Sequence, residues 1–429
     1  MKNSPNIDIQ FEVFVQELPA DYQAMAYEFK AFCRSRKVQS VYELLQLVML
    51  YCGLDYSLRT TAGQFSSANG YLSDTSVRKR LAACVPWVKA ILTKVFNLGQ
   101  VVTSGHLRFI VIDGSTIQVP GADETSYRLH IAIDLVKLEL LQVKVTDEKQ
   151  GEGLCHYTLK NGDVVVIDRG YNQPKNLVPF IDQGGDIVLR YNPHGMNLYS
   201  QNDEMVKIAW ATELKKFDGS GVIPVYLCHG DKRIASVVHA IPLPQDKADE
   251  ARRRTRKQAK KKGSTPSADT LYLSGWVLIL TTVPVDILDT ETVAALYRVR
   301  WQVELVIKRL KSLLDIDRLR APKGSVLSEL YLHGKLLYAA VTEKIAYRRL
   351  NLFPAGMIPE RTHTPWRILH LLASEVKSLI IASMPAQAKY KADFIKAICE
   401  RPRKRKLQTL PATVFQLLDA CRAMGVSCS

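Results

Sequence analysis

Phe109-Ile110-Val111-Ile112-Asp113-Gly114-Ser115-Thr116 and Val164-Val165-Val166-Ile167-Asp168-Arg169-Gly170-Tyr171 are the two stretches on which the fold turns. Each is a short apolar run that closes on an aspartate and meets a glycine one or two positions later. Runs of this length and β-branched content read as strands. An acidic residue where such a strand ends places a carboxylate at the sheet edge, and the glycine leaves space beside it for a ligand. Two strands built alike would bring two carboxylates together. Asp-Gly is also an ordinary turn former, so either aspartate taken alone carries both readings.

Working outward, Leu129 to Leu135, Leu138 to Val145 and Ile187 to Tyr191 share this texture, as do Val222 to Cys228, Ile234 to Pro242 and Trp276 to Thr282. Together they predict a mixed sheet. Residues 1 to about 100 read as helical, with Val41, Leu44, Leu45 and Val48 at helical spacing. A second amphipathic stretch runs from Val77 through Leu81, Val85 and Val88, with Ser73-Asp74-Thr75 as its N-cap. Two helices joined across the polar stretch Gly63 to Asn69, the later one opening with Arg78, Lys79 and Arg80, fit a helix-turn-helix reader of DNA or a plain helical bundle. A long helix is expected from near Thr290. Beyond residue 325 the chain again reads as helical, with breaks at Pro354, Pro359 and Pro365.

Charge narrows the partner. The 429 residues carry 58 Lys and Arg against 42 Asp and Glu, a net charge of +16 that attracts polyanions. Much of it is clustered, in Arg252 to Lys262 and Arg401 to Lys406, as in solvated arms that touch phosphates. Nucleic acid is the expected partner. No apolar run approaches the roughly 18 residues of a membrane span, and MKNSPNIDIQ lacks a signal-peptide core. The expectation is a soluble, cytoplasmic protein. The eight cysteines form no CxxC pair and the histidines no HExxH. A metal acting here needs carboxylates.

The third acidic candidate lies in Tyr297-Arg298-Val299-Arg300-Trp301-Gln302-Val303-Glu304-Leu305-Val306-Ile307-Lys308-Arg309-Leu310-Lys311. At about 100° per residue, Tyr297, Arg300, Glu304 and Lys311 fall within an arc of about 60°, with Val299, Val303, Val306 and Leu310 opposite. One face is packed and the other is chemical. The polar face spans about 21 Å, long enough to follow several phosphates. A surface helix with Glu304 paired to Lys308 would account for the charges, but it has no use for the Tyr and the Trp.

The spacing Tyr297-x2-Arg300-x3-Glu304-x6-Lys311 resembles the signature of the insertion-sequence-four (IS4) group of bacterial DDE transposases, whose catalytic domain is similar to ribonuclease H. That group carries its first aspartate as Asp-x-Ser/Thr and its second as Asp-x-Gly-Tyr/Phe, which Asp113-Gly114-Ser115 and Asp168-Arg169-Gly170-Tyr171 reproduce. The resemblance covers roughly residues 100 to 325. It implies an α/β fold in which a ribonuclease-H-like mixed sheet with helices, residues 101–192 and 276–345, is interrupted by a β-rich insertion domain with a basic arm, 193–275. Helical regions flank it, 1–100 for DNA binding and 346–429 at the C-terminus. It also implies that Asp113, Asp168 and Glu304 hold two Mg²⁺ ions, replaceable by Mn²⁺, and that Tyr297, Arg300, Lys308 and Lys311 grip phosphates. Trp276 matches a tryptophan that stacks on a flipped base in relatives with a hairpin intermediate, or else is a core residue. Double-stranded DNA and a synaptic homodimer follow as partners, with Ile368, Leu371, Leu372 and Val376 the candidate dimer stripe. A catalytically silent DNA-binding repressor and a ribonuclease-H-like nuclease remain as alternatives.

Overall fold

Along the first apolar run the side chains alternate. Phe109 and Val111 enter one hydrophobic core and Ile110 and Ile112 enter another. That is the pattern of a pleated strand covered on both faces. The computed structural model describes residues 7–69, 71–97, 107–119, 122–135, 140–202, 205–317 and 319–351, with single positions between 367 and 380.

The strands are β1 (Arg108–Ile117), β2 (Tyr127–Asp134), β3 (Leu140–Asp147), β4 (Asp163–Ile167), β5 (Asp186–Arg190), β6 (Tyr199–Ser200), β7 (Gly221–His229), β8 (Lys232–Pro242) and β9 (Trp276–Thr281). They form one sheet in the order β3-β2-β1-β4-β5-β9-β8-β7-β6. β1, β4 and β5 run parallel to one another, and the other pairings are antiparallel. Because β9 pairs with both β5 and β8, the strands of residues 193–275 continue the same sheet.

Six helices precede the sheet: α1 (Ile7–Val15), α2 (Tyr22–Glu28), α3 (Val41–Cys52), α4 (Leu58–Asn69), α5 (Asp74–Ala83) and α6 (Val85–Asn97). Ser73 caps α5 as the sequence predicts, its hydroxyl accepting from the Ser76 N–H at 3.3 Å. α7 (Pro174–Ile181) follows β4, while α8 (Trp210–Leu214), α9 (Gln245–Lys261) and α10 (Ala268–Leu273) surround the β7–β8 hairpin in sequence. α11 (Thr290–Val299), α12 (Gln302–Leu314) and α13 (Val326–Asn351) close the described chain. α13 packs on α3, α5 and α6, and these helices share one continuous core with α11, α12 and a face of the sheet. Lys335 of α13 is 1% exposed and bonds the Asp55 carboxylate and the Asp315 carbonyl, tying α13 to the N-terminal helices and to the end of α12.

Several expectations are corrected. Gly63 to Asn69 is not a connection but the body of α4, so the turn before α5 falls after Asn69. The stretch Val77 to Val88 is two helices, parted at Cys84 one residue before Val85. In the expected basic arm, Arg252 to Lys261 lies in the 17-residue helix α9. The long helix from Thr290 is two helices meeting at Arg300–Trp301, where Arg300 N–H bonds Tyr297 O and Val303 N–H bonds Arg300 O, the tighter i,i+3 pattern. Of the C-terminal stripe, Val376 is buried in the chain's own core and Leu371 is exposed, while Ile368 and Leu372 lie outside the described residues, as do Pro354, Pro359, Pro365 and the cluster Arg401 to Lys406. Ile380 is likewise buried, and its carbonyl accepts from Gln46 Nε2.

Candidate active site

Parallel pairing sets the first two carboxylates side by side. The β1–β4 ladder runs from Arg108↔Asp163 to Val111↔Val166. Two more residues in that register bring Asp113 opposite Asp168, on strands about 4.8 Å apart. Asp113 does not end its strand: β1 continues to Ile117, paired with β2. What ends there is β4, so the parallel ladder stops and both carboxylates stand at its open end. Asp168 then caps a short 3₁₀ turn, its Oδ1 accepting from Gly170 N–H at 2.8 Å.

The third carboxylate arrives on α12. Val303, Val306 and Leu310 are buried against the sheet, which leaves Glu304 and Lys308 exposed on the other side, the two-faced helix that the periodicity predicts. Asp113 has the strand parity of Phe109 and Val111, so it points to the face that α12 covers. Arg300, at the α11–α12 junction, joins the two: its Nη1 donates to Asp113 Oδ2 at 3.3 Å and its Nη2 to Glu304 Oε1 at 2.6 Å. Farther along, Lys311 Nζ donates to Thr116 O at 3.0 Å and ties α12 to β1 a second time. Glu304 thus pairs with Arg300, in place of the Lys308 partner that the spacing suggests.

Burial pushes the Asp113 carboxyl above its ordinary pKa, against the pull of Arg300 and of the Gly114 N–H, and the charges of Asp168 and Glu304 push the same way. Burial opposes the Arg300 charge, but Tyr297, Asp113 and Glu304 outweigh it and raise the guanidinium's pKa. The Tyr297 ring lies 5.8 Å from both the Arg190 and the Arg300 guanidinium carbons. Among the described residues no three acids, histidines or cysteines already converge at metal-binding distance. The donor set nonetheless suits a hard divalent cation: all its atoms are carboxylate oxygens, and positive charge placed among them would offset the burial, and the lesser repulsion, that raise Asp113.

Of the other sequence candidates, Trp276 opens β9. Ile279 pairs with Arg190, so Trp276 extends past the end of β5, the same end at which parallel β4 delivers Asp168. It is half-buried, 6.3 Å from the Tyr272 ring. Arg78 and Lys79 are exposed and Arg80 half-exposed on α5, which packs on α3, α4, α6 and α13.

Three site residues have no clear signature in the sequence. Arg190, at the end of β5, falls opposite Asp168 by the Ile167↔Leu189 register, and its Nε is buried with no hydrogen-bond partner. Arg169 sits beside it; burial lowers its pKa and Arg190 lowers it further. Glu152 lies in the β3–β4 connection, between Gly151 and Gly153, and its carboxyl fills the space beside Gly114 and Gly170. The only sequence signal for it is an acid between glycines.

A mixed sheet with Asp113 and Asp168 on neighbouring parallel strands, and Glu304 on a helix with a basic face tied to Asp113 through Arg300, fits the DDE class of DNA-transferring enzymes. Residues 104–337 match the family described as Transposase DDE domain, and the chain belongs to that family. It is a DNA transposase, cleaving DNA and transferring strands. It is similar to the putative transposase InsL for insertion sequence element IS186A of Escherichia coli (strain K12), 28% identical over 80% of this chain and 95% of that one. The transposase for insertion sequence element IS421 of Escherichia coli is 27% identical over the same shares. The transposase for insertion sequence element IS231F of Bacillus thuringiensis subsp. israelensis is 24% identical over 77% of this chain and 80% of that one. The IS4-group resemblance holds. No helix among the described residues is long and apolar enough to cross a membrane.

Proposed function

We propose that Asp113, Asp168 and Glu304 together hold two divalent cations, Mg²⁺ with Mn²⁺ able to substitute, and that the chain acts there on the terminal inverted repeats of its own insertion sequence. What most supports this reading is the β1–β4 register, which aligns Asp113 with Asp168 at the end of the ladder, with Glu304 joined to Asp113 through Arg300. Such cations would activate the attacking oxygen and stabilise the leaving one. The remaining work falls to the chain. Tyr297 near the end of α11, Arg300 at the junction and Lys308 and Lys311 on α12 grip a phosphate backbone, and Arg169 and Arg190 extend that contact beside Asp168. Trp276 stands at the same end of the sheet but packs against the core on the face away from Asp113, so an unpaired base reaches it around that end; such stacking contributes about 1–3 kcal/mol. Arg78, Lys79 and Arg80 bind the DNA end, and α9 adds an exposed cationic face. Water attacks first and frees a 3′-hydroxyl, which attacks a second phosphodiester in the same site.

The division of labour proposed is DNA binding by residues 1–100, catalysis by 101–192 and 276–345, and an insertion domain at 193–275. One triad per chain and two ends per element favour a synaptic homodimer on double-stranded DNA. The test is to incubate the purified chain and Mg²⁺ with a duplex carrying one terminal repeat and its flank. Nicking at the repeat boundary with a free 3′-hydroxyl, joining to a second duplex, and arrest of both by EDTA are expected. Cleavage indifferent to the boundary and without joining would replace this reading with a ribonuclease-H-like nuclease. Binding without cleavage would replace it with a silent repressor.

A further inference from the structure

We infer that Glu152 is a fourth carboxylate of the reacting centre, holding the divalent cation together with Asp113 and Asp168. The inference rests on the metal-holding role proposed above for those two aspartates. A Cβ built on Gly170 would lie 1.8 Å from Glu152 Oε2 and 3.0 Å from Asp168 Oδ1, and one on Gly114 would lie 3.2 Å from Glu152 Oε1. The two oxygens of Glu152 therefore rest on the two glycines that follow the two aspartates. Both glycines leave space, as the sequence implies, and the carboxylate of Glu152 occupies it.

The loop that delivers Glu152 is held from several sides. His156 Nε2–H donates to Gly151 O at 2.9 Å, and Asn176 Nδ2–H reaches Glu152 O at 3.5 Å. The His156 ring lies 4.0 Å from the ring of His130, which is buried on β2 and bonded to Thr146. Below them, Tyr157 OH bonds Asp113 O at 3.3 Å and Tyr171 OH at 3.2 Å, linking the loop to both acidic segments. The Glu152 carboxyl rests against the two glycines, with its Oε2 and Asp168 Oδ1 both crowding the same space beside Gly170. Arg300 gives Asp113 and Glu304 a hydrogen-bonded counter-charge. A carboxylate placed against that of Asp168, beside the strand that carries Asp113, is explained by a shared cation.

The test measures Mn²⁺ binding to the full chain without DNA, reading free Mn²⁺ by electron paramagnetic resonance. Four variants are compared with wild type: Glu152→Gln, Gly170→Ala, Asp113→Asn and, as a charge control on α9, Asp246→Asn. Glu152→Gln should weaken Mn²⁺ binding by about 10–100-fold, the loss typical of residues that support a metal. Gly170→Ala, which keeps every charge but displaces the Glu152 carboxyl and crowds that of Asp168, should weaken it too, and Asp246→Asn should not. If Asp113→Asn weakens binding while Glu152→Gln and Gly170→Ala, both folded by circular dichroism, bind as wild type does, the role of Glu152 is overturned and the triad stands. If Asp113→Asn also binds normally, the metal-holding reading itself fails and takes this inference with it.

Discussion

Arg300 bridges two carboxylates, and distance and burial disagree about which bond matters more. The bond to Glu304 is shorter, 2.6 Å against 3.3 Å for Asp113. Yet the Glu304 side chain is 53% exposed and that of Asp113 only 15%. Solvent screens the first pair, so as an i,i+4 helix pair it should contribute about 0.3–0.5 kcal/mol. The second pair sits in a low-dielectric setting, where a hydrogen bond to a charged group contributes about 1.5–3 kcal/mol. Burial should win. Double-mutant cycles on urea unfolding, using Arg300→Met with Asp113→Asn and Arg300→Met with Glu304→Gln, should give a coupling several-fold larger for Asp113. A larger coupling for Glu304, or none for Asp113, would refute the placement of Arg300 as the buried counter-charge of the first aspartate.

Arg253, Arg256, Lys257, Lys260 and Lys261 are all exposed on α9. If they meet DNA, changing them to Gln should flatten the dependence of log K on log salt by about 0.9 for each phosphate they neutralise, whereas an unchanged slope would place α9 away from DNA. Burial, with His156 next, pushes the pKa of His130 down to about 3, so the folded chain keeps it neutral while the unfolded chain takes up a proton below its ordinary 6.5. The folded state therefore loses stability as pH falls from about 6.5 toward 3, by about 1.4 kcal/mol per pH unit. His130→Gln should remove that part of the acid sensitivity, measured as the difference in urea unfolding between pH 7 and pH 5. Equal acid sensitivity in variant and wild type would mean that His130 is not held neutral.

The strands were legible because several apolar runs are bounded by Asp, Gly or Asn, as Val164 to Ile167 and Ile187 to Tyr191 are, and because a strand covered on both faces needs no polar alternation. The extension of β1 through Gly114 to Ile117 was not, since Gly-Ser-Thr has no strand pattern of its own and is held by its ladder to β2. α9 was hidden for the opposite reason. It is polar almost all round, with only Ala248 buried, so no apolar stripe marks it. Its helicity comes from residues of high helix propensity and from pairs such as Arg254 with Glu250 and Arg252 with Asp249. The break at Arg300–Trp301 has neither Pro nor Gly to announce it. At the site, the aspartates and Glu304 were readable because each ends a run or sits on a two-faced helix. Arg190 and Glu152 were not, because only the sheet order and the folding back of the β3–β4 connection bring them to Asp168 and the two glycines.

Single-turnover cleavage of a terminal-repeat duplex by wild type, Asp113→Asn, Asp168→Asn and Glu304→Gln tests the central claim most directly, with DNA binding measured in parallel by gel shift. Each substitution removes one negative charge and almost no volume, so packing and DNA affinity should survive. All three variants should bind the repeat as wild type does, and none should nick it in Mg²⁺ or Mn²⁺. A variant that cuts at a rate near wild type would remove that residue from the site and contradict the assembly of the three carboxylates into one reacting centre.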